Sequence, residues 1–340
     1  MTDTNTMTTP LTRKDFVSNQ EVRWCPGCGD YAILSQVQKI LPKMGIPKEN
    51  FLFVSGIGCS SRFPYYMETY GFHSIHGRAT ALASGAKVAN PELSVWVITG
   101  DGDAMSIGGN HFIHTLRRNI DMNILMFNNR IYGLTKGQYS PTSEIGKVTK
   151  SSPLGSLDYP FNPPALALGA GGTFIARAID RDQGASLEIL ERAAKHKGTS
   201  FVEYYQNCLI FNDGVFSHLT EKNTKDDTVL HLVHNQPMRF GKDNNKGLRL
   251  VGSQFEVIEL GSKFGINDVF VHNENDKNLA MLLSELTYSD VLPTPVGIFY
   301  VKDTPTYETM VEDQIERAIK IKGKGDLNKL FNSSGTWVVE

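Results

Sequence analysis

Two short clusters of hard oxygen donors, Gly100-Asp101-Gly102-Asp103 and Asn128-Asn129, are the stretches of this sequence best equipped for chemistry. A carboxylate, a carboxamide oxygen and a nearby backbone carbonyl are ligands that suit Mg²⁺, an ion usually held together with a substrate's phosphates rather than in an all-protein cage. The glycines let the backbone approach a phosphate and turn N–H groups towards it. Asp101 and the Asn129 side chain are therefore candidate ligands of a Mg-diphosphate site, with Gly100, Gly102 and Asp103 beside them. Alone, Gly-Asp-Gly-Asp also reads as a tight turn capping a helix. The Asn pair that follows shifts the balance towards a ligand site.

Sulfur supplies the second set. Trp24-Cys25-Pro26-Gly27-Cys28-Gly29-Asp30 is a Cys-x-x-Cys turn aiming two thiols at one centre. A redox dithiol, half a zinc site and half an iron–sulfur site all use that spacing. Cys59 sits in Gly56-Ile57-Gly58-Cys59-Ser60-Ser61-Arg62, and Cys208 follows Gln206-Asn207. Four thiols brought to one side would bind either a 4Fe–4S cluster or zinc. Arg62 is a candidate clamp for a substrate carboxylate, because guanidinium binds carboxylates through two parallel hydrogen bonds; a salt bridge to a partner chain is the alternative. His76, in His73-Ser74-Ile75-His76-Gly77-Arg78, is a candidate cofactor contact or a structural histidine.

These groups act together only if the elements bearing them end at one edge. Apolar runs 51–55, 94–99, 123–127 and 200–205 read as buried strands, and 172–177 and 297–301 as further ones. Segments 31–43 (capped by Asp30), 79–90, 107–118, 164–168 and 185–196 read as the helices between them, giving an α/β class with a mostly parallel sheet and helices on both faces. Both oxygen clusters, Cys59 and Cys208 then fall at strands' carboxyl ends, where open α/β sheets bind ligands. Ile57, Gly58, Cys59 and Ser60 would lie on that side, and Gly133, Leu134 and Thr135 would continue around the diphosphate. Residues 143–164 are expected to form a long loop over the site.

Beyond residue 214 the alternation weakens. Stretch 219–245 reads as a solvated polar face and 238–250 as loop, with a short strand at 255–260, helices at 277–286 and 307–321, and a tail from 327 that wraps a partner or the body. The expected division is a flexible tail over 1–20, an α/β domain over 21–214 and a C-terminal extension over 215–340. With 340 residues and a formal net charge of −2, the chain has no nucleic-acid or membrane-surface footprint. No apolar run is long enough to span a membrane. A cytoplasmic protein with free cysteines is the expectation.

The Gly-Asp-Gly and Asn-Asn pair resembles the thiamine diphosphate signature, which implies Asp101, Asn129 and the Ile131 carbonyl as the Mg²⁺ ligands. From about residue 24 to 213 the chain closely resembles the beta subunits of the 2-oxoacid:ferredoxin oxidoreductases. The shared runs are Trp-Cys-Pro-Gly-Cys-Gly, Ser-Gly-Ile-Gly-Cys-Ser, His-Gly-Arg-Ala, Gly-Asp-Gly-Asp, Tyr-Gly-Leu-Thr-Lys-Gly-Gln and a late Cys before Asn212-Asp213. The extended C-terminal part looks more like the 2-oxoglutarate branch. The resemblance implies one 4Fe–4S cluster on Cys25, Cys28, Cys59 and Cys208, and thiamine diphosphate as electron sink. It further implies CoA as acyl acceptor, ferredoxin as electron acceptor, and an alpha subunit supplying the Glu that activates the cofactor, in an αβ or (αβ)2 assembly.

Overall fold

The computed structural model describes residues 10–289 and 291–339. Eleven strands are present among them. β1 (Phe51–Ser55), β2 (Tyr70–His73), β3 (Ser94–Gly100), β4 (Met122–Asn128), β5 (Phe174–Ile179), β6 (Thr199–Tyr205), β7 (Val229–Leu232) and β11 (Thr294–Val301) form one sheet in the order β2-β1-β3-β4-β6-β5-β11-β7. The first six in that order run parallel, while β11 is antiparallel to β5 and parallel to β7. The remaining three, β8 (Arg239–Phe240), β9 (Lys246–Val251) and β10 (Gln254–Glu259), make a small antiparallel sheet.

The central strands have no polar alternation because both faces are covered. Phe51, Phe53, Trp96, Ile98, Leu125 and Phe127 enter one core with α1 (Asp30–Ile40) and α6 (Gln183–Lys195). The intervening Leu52, Val54, Val95, Val97, Ile124 and Met126 enter the other, against α2 (Ala79–Ala89), α4 (Gly109–Arg118), α5 (Pro163–Gly169) and α9 (Lys277–Glu285). Register then aligns the carboxyl ends: Ser55 lies opposite Ile98, Gly100 opposite Phe127, and Asn128 opposite Tyr205. The four strands that carry the oxygen and sulfur motifs are consecutive neighbours and end together.

Several local expectations are corrected. The helix expected over 107–118 is α4, which begins at Gly109, and a short helix not expected, α3 (Asp101–Met105), precedes it across a turn at 106–108. Asp30 does not cap α1; Gly29 does, and Asp30 is its buried first residue. Of the expected loose tail 1–20, residues 1–9 lie outside the described residues. Arg13–Phe16 forms a 3₁₀ turn that buries Phe16 edge-on against Phe51, with ring centroids 5.5 Å apart, so that stretch is docked. Stretch 219–245 holds two single-turn helices, α7 (Ser217–Thr220) and α8 (Lys225–Thr228), and then β7, which enters the main sheet. The 238–250 loop is in fact β8 and β9. After α10 (Tyr307–Lys322) comes α11 (Leu327–Phe331), and every residue from 312 to 339 is exposed, so this tail does not wrap the body. No helix among the described residues is long and apolar enough to cross a membrane.

Candidate functional site

At the common carboxyl edge of β1, β3 and β4 lies a cavity of about 570 Å³. Its lining includes Ile57, Gly58, Cys59, Ser60, His76, Gly100, Asp101, Gly102, Asp103, Asn129, Ile131, Gly133, Leu134 and Thr135. Asp30, Tyr132 and Gln138 also line it, although sequence reasoning assigned none of them to this site.

Asp101 is the first residue of α3 and is buried. Its Oδ2 accepts hydrogen bonds from the hydroxyls of Ser140 (2.5 Å) and Thr142 (2.6 Å), both from the loop after β4. Burial pushes the carboxyl up to about 6, only partly offset by those hydroxyls. Its side-chain partners among the described residues are neutral hydroxyls, so its charge is desolvated with little to offset it, the condition in which a carboxylate gains most from a metal. Asn129 is fixed in orientation: its Oδ1 accepts from the Ile131 N–H at 3.2 Å, and its Nδ2 donates to Gln206 Oε1 at 2.9 Å. Arg130 between them adopts φ 54°, the left-handed turn that folds Ile131 back beside Asn129. The donor set of a carboxylate, a carboxamide oxygen and a main-chain carbonyl on one wall fits Mg²⁺.

The two neighbouring polar residues do different work. Asp103 is a clamp for loops: Oδ1 accepts from Gly77 N–H at 2.8 Å and Oδ2 from the Thr99 hydroxyl at 3.0 Å. A Cβ on Gly56 would stand 1.8 Å from Asp103 Oδ2, so the loop after β1 passes directly against this carboxylate. Asn128 points away from the cavity, donating from Nδ2 to Glu203 at 2.8 Å, and Glu203 forms a fully buried ion pair with Arg177 at 2.7 Å. Tyr132 caps Gly102, its hydroxyl donating to the Gly102 carbonyl at 3.1 Å; a Cβ at 102 would meet the ring at 2.1 Å.

A second cavity, of about 240 Å³, adjoins the first and is lined by all four cysteines. Cys59, Asn129, Gly133 and Leu134 line both, so one wall serves the two. Gly133 stands between sulfurs: a Cβ there would lie 3.5 Å from Cys208 Sγ and 3.7 Å from Cys59 Sγ. All four cysteines are unpaired thiols; Cys25 is exposed and the others are half-buried. Burial pushes Cys28 and Cys208 up and Cys59 up to about 12; the Asp30 carboxylate adds to all three, and the neighbouring thiolates add further to Cys28 and Cys59. N–H donors nevertheless face the sulfurs: that of Asp30 faces Cys28, and those of Ile210, Phe211 and Asn212 face Cys208. Thiols that repel one another when ionised, yet sit among N–H donors, fit a cationic centre bound as thiolates. Among the described residues no three His, Cys, Asp or Glu side chains converge closely enough to share a single ion.

Arg62 lines this second cavity rather than the first, and its Nε donates to the Tyr66 hydroxyl at 3.0 Å. His76 lines the first and is exposed. Asp30, buried beside Cys28, has its carboxyl pushed up to about 7, chiefly by burial with a further contribution from Asp180.

Residues 56–204 match the model of the thiamine pyrophosphate enzyme C-terminal TPP-binding domain. The 2-oxoglutarate oxidoreductase subunit KorB of Mycobacterium tuberculosis is 51% identical, over 97% of this chain and 89% of that one. The 2-oxoacid:ferredoxin oxidoreductase subunit beta of Saccharolobus solfataricus is 44% identical, over 86% of each. The solved structure of a 2-oxoglutarate:ferredoxin oxidoreductase from Magnetococcus marinus, with 2-oxoglutarate, coenzyme A and succinyl-CoA bound, superposes with a TM-score of 0.78 at 31% identity, covering 97% of this chain and 98% of that one.

Proposed function

The chain belongs to the beta-subunit family of the 2-oxoacid:ferredoxin oxidoreductases, and on that premise we propose that it is the cofactor-bearing half of an enzyme converting 2-oxoglutarate and CoA to succinyl-CoA and CO₂, or running the reverse carboxylation, with ferredoxin as the one-electron partner. The observation that carries this reading is the shared wall. The cavity lined by Asp101 and Asn129 and the four-cysteine cavity share Cys59, Asn129, Gly133 and Leu134 as lining, which supports a short path for electrons between the two sites.

Thiamine diphosphate, when bound, supplies the electron sink for decarboxylation, and a 4Fe–4S cluster supplies the one-electron outlet. The protein's part is placement. Asp101, the Asn129 side-chain oxygen and the Ile131 carbonyl would hold Mg²⁺; the Gly100–Asp103 turn and the Gly133–Thr135 loop would enclose the diphosphate. Cys25, Cys28, Cys59 and Cys208 would ligate the cluster. His76 is placed to touch cofactor or substrate. Arg62, near the shared wall, would meet the 2-oxoacid carboxylate where the two cavities join. Among the described residues the carboxylates lining the larger cavity are Asp30, Asp101 and Asp103, and none lines the smaller. The Glu that activates the cofactor therefore comes from an alpha subunit, and the chain alone is inactive. Lys136 and Arg23, the latter paired with Glu21 at 3.2 Å, give the cysteine cavity a basic rim that suits an acidic electron carrier such as ferredoxin. Free cysteines throughout accord with a cytoplasmic protein.

The test is anaerobic purification of the chain with its alpha partner, followed by viologen-dye reduction with CoA and a panel of 2-oxoacids. Reduction with 2-oxoglutarate in preference to pyruvate is expected. Reduction with pyruvate alone would overturn the substrate, and a colourless zinc-containing protein would overturn the cluster.

A further inference from the structure

We infer that Gln206 is a positioning residue that couples the metal-diphosphate site to the cysteine site, through one directed chain of hydrogen bonds. The inference rests on the function proposed above and adds a role for a residue that touches neither substrate nor diphosphate. Gln206 follows β6 directly and is buried. Its Nε2 donates to Cys28 Sγ at 3.2 Å and to the Asn207 carbonyl at 2.7 Å, while its Oε1 accepts from Asn129 Nδ2 at 2.9 Å.

The direction of the chain is determined at both ends. A main-chain carbonyl can only accept, so Nε2 is the nitrogen; the Ile131 N–H, 3.2 Å from Asn129 Oδ1, can only donate, so the Asn129 amide is likewise fixed. One order results: Asn129 Oδ1, the candidate metal ligand, then Asn129 Nδ2–H to Gln206 Oε1, then Gln206 Nε2–H to Cys28 Sγ. A cation on Asn129 Oδ1 withdraws charge from that amide and strengthens its donation. Gln206 becomes in turn a stronger donor to sulfur, since linked hydrogen bonds polarise one another. A hydrogen bond to a cluster thiolate stabilises the more negative, reduced cluster and raises its potential. Loading Mg²⁺ and thiamine diphosphate therefore raises the cluster potential through Gln206. By reciprocity the reduced cluster tightens the diphosphate site.

The experiment uses the assembled complex, wild type against Gln206→Leu and Gln206→Glu. Leucine removes both links; glutamate keeps an acceptor for Asn129 and puts an acceptor against Cys28. Cluster potential is measured by EPR-monitored titration with and without Mg²⁺ and thiamine diphosphate, and cofactor affinity by equilibrium dialysis. In the wild type the potential rises on loading. In Gln206→Leu that rise falls to less than half and affinity weakens about tenfold, the usual effect of losing an outer-shell partner. In Gln206→Glu the unloaded potential falls below the wild-type value while affinity stays near wild type. If Leu abolishes cluster incorporation, the Glu variant alone carries the test. Unchanged potentials and affinity in variants with wild-type iron content would overturn the coupling and leave the proposed function standing. A wild type without any cluster signal would overturn both.

Discussion

At the scale of single residues, chemistry at this site comes from polar groups held where water cannot neutralise them. Asp101→Ala is expected to abolish retention of Mg²⁺ and thiamine diphosphate while iron content stays at the wild-type level, read by cofactor and metal analysis of the purified complex. Retained cofactor would remove Asp101 from the ligand set. Because burial raises the Asp101 carboxyl to about 6, a metal must displace a proton from it below that pH. Apparent Mg²⁺ affinity should hold at pH 7 to 8 and fall by up to about tenfold per pH unit below 6, measured by equilibrium dialysis with thiamine diphosphate. Affinity flat down to pH 5 would contradict the burial argument. Residue types made Asp101, Asn129 and the four cysteines legible in the sequence, because a buried carboxylate or thiol at a strand end has few other uses. Asp103, Asn128 and Gln206 were not separable from them. Their roles depend on which way each side chain points, and only packing decides that.

At the scale of elements, the site is a set of loops pinned to strand ends, and the pins are testable. Gly77 has φ 65°, and a Cβ on it would stand 2.3 Å from the Gly108 nitrogen. Gly77→Ala should cost about 2 kcal/mol or more in chemical denaturation, combining left-handed strain with a backbone overlap. It should also loosen the cofactor, because the Gly77 N–H anchors Asp103. The ion pair of Arg177 on β5 with Glu203 on β6 is fully buried and holds Asn128 through Glu203. Arg177→Met should cost about 3–5 kcal/mol, leaving Glu203 as a buried charge without its counter-ion; a loss under 1 kcal/mol would show that the pair is dispensable. Continuous apolar runs made β1, β3, β4 and β6 readable in advance, since a strand covered on both faces must be apolar throughout. β2 escaped notice because all four of its residues are exposed. β7, in a short apolar run (Val229, Leu230, Leu232, Val233), was masked by the charged residues around it, and β8 and β9 have too few apolar residues to form a run.

At the scale of the whole molecule, what the fold leaves uncovered describes the assembly. Leu154, Leu157 and Tyr159, in the irregular segment between β4 and α5, are 99%, 88% and 85% exposed, and Trp337, Val338 and Val339 in the tail are exposed as well. Exposed apolar side chains mark interaction surfaces where they cluster. Removing residues 323–340 should leave the stability of the isolated chain within about 0.5 kcal/mol of wild type, because the described part of that segment is exposed throughout. If the tail embraces the alpha subunit, the same truncation should weaken the complex in analytical ultracentrifugation; unchanged assembly would free the tail from that role. The uneven exposure of the cysteines has one more consequence. Cys25 faces solvent while its three companions are half-buried, so a cluster held there has one corner turned towards dissolved dioxygen. Damage in air should begin at that corner and slow whenever an electron carrier sits over it, which would make the enzyme most durable while it is working.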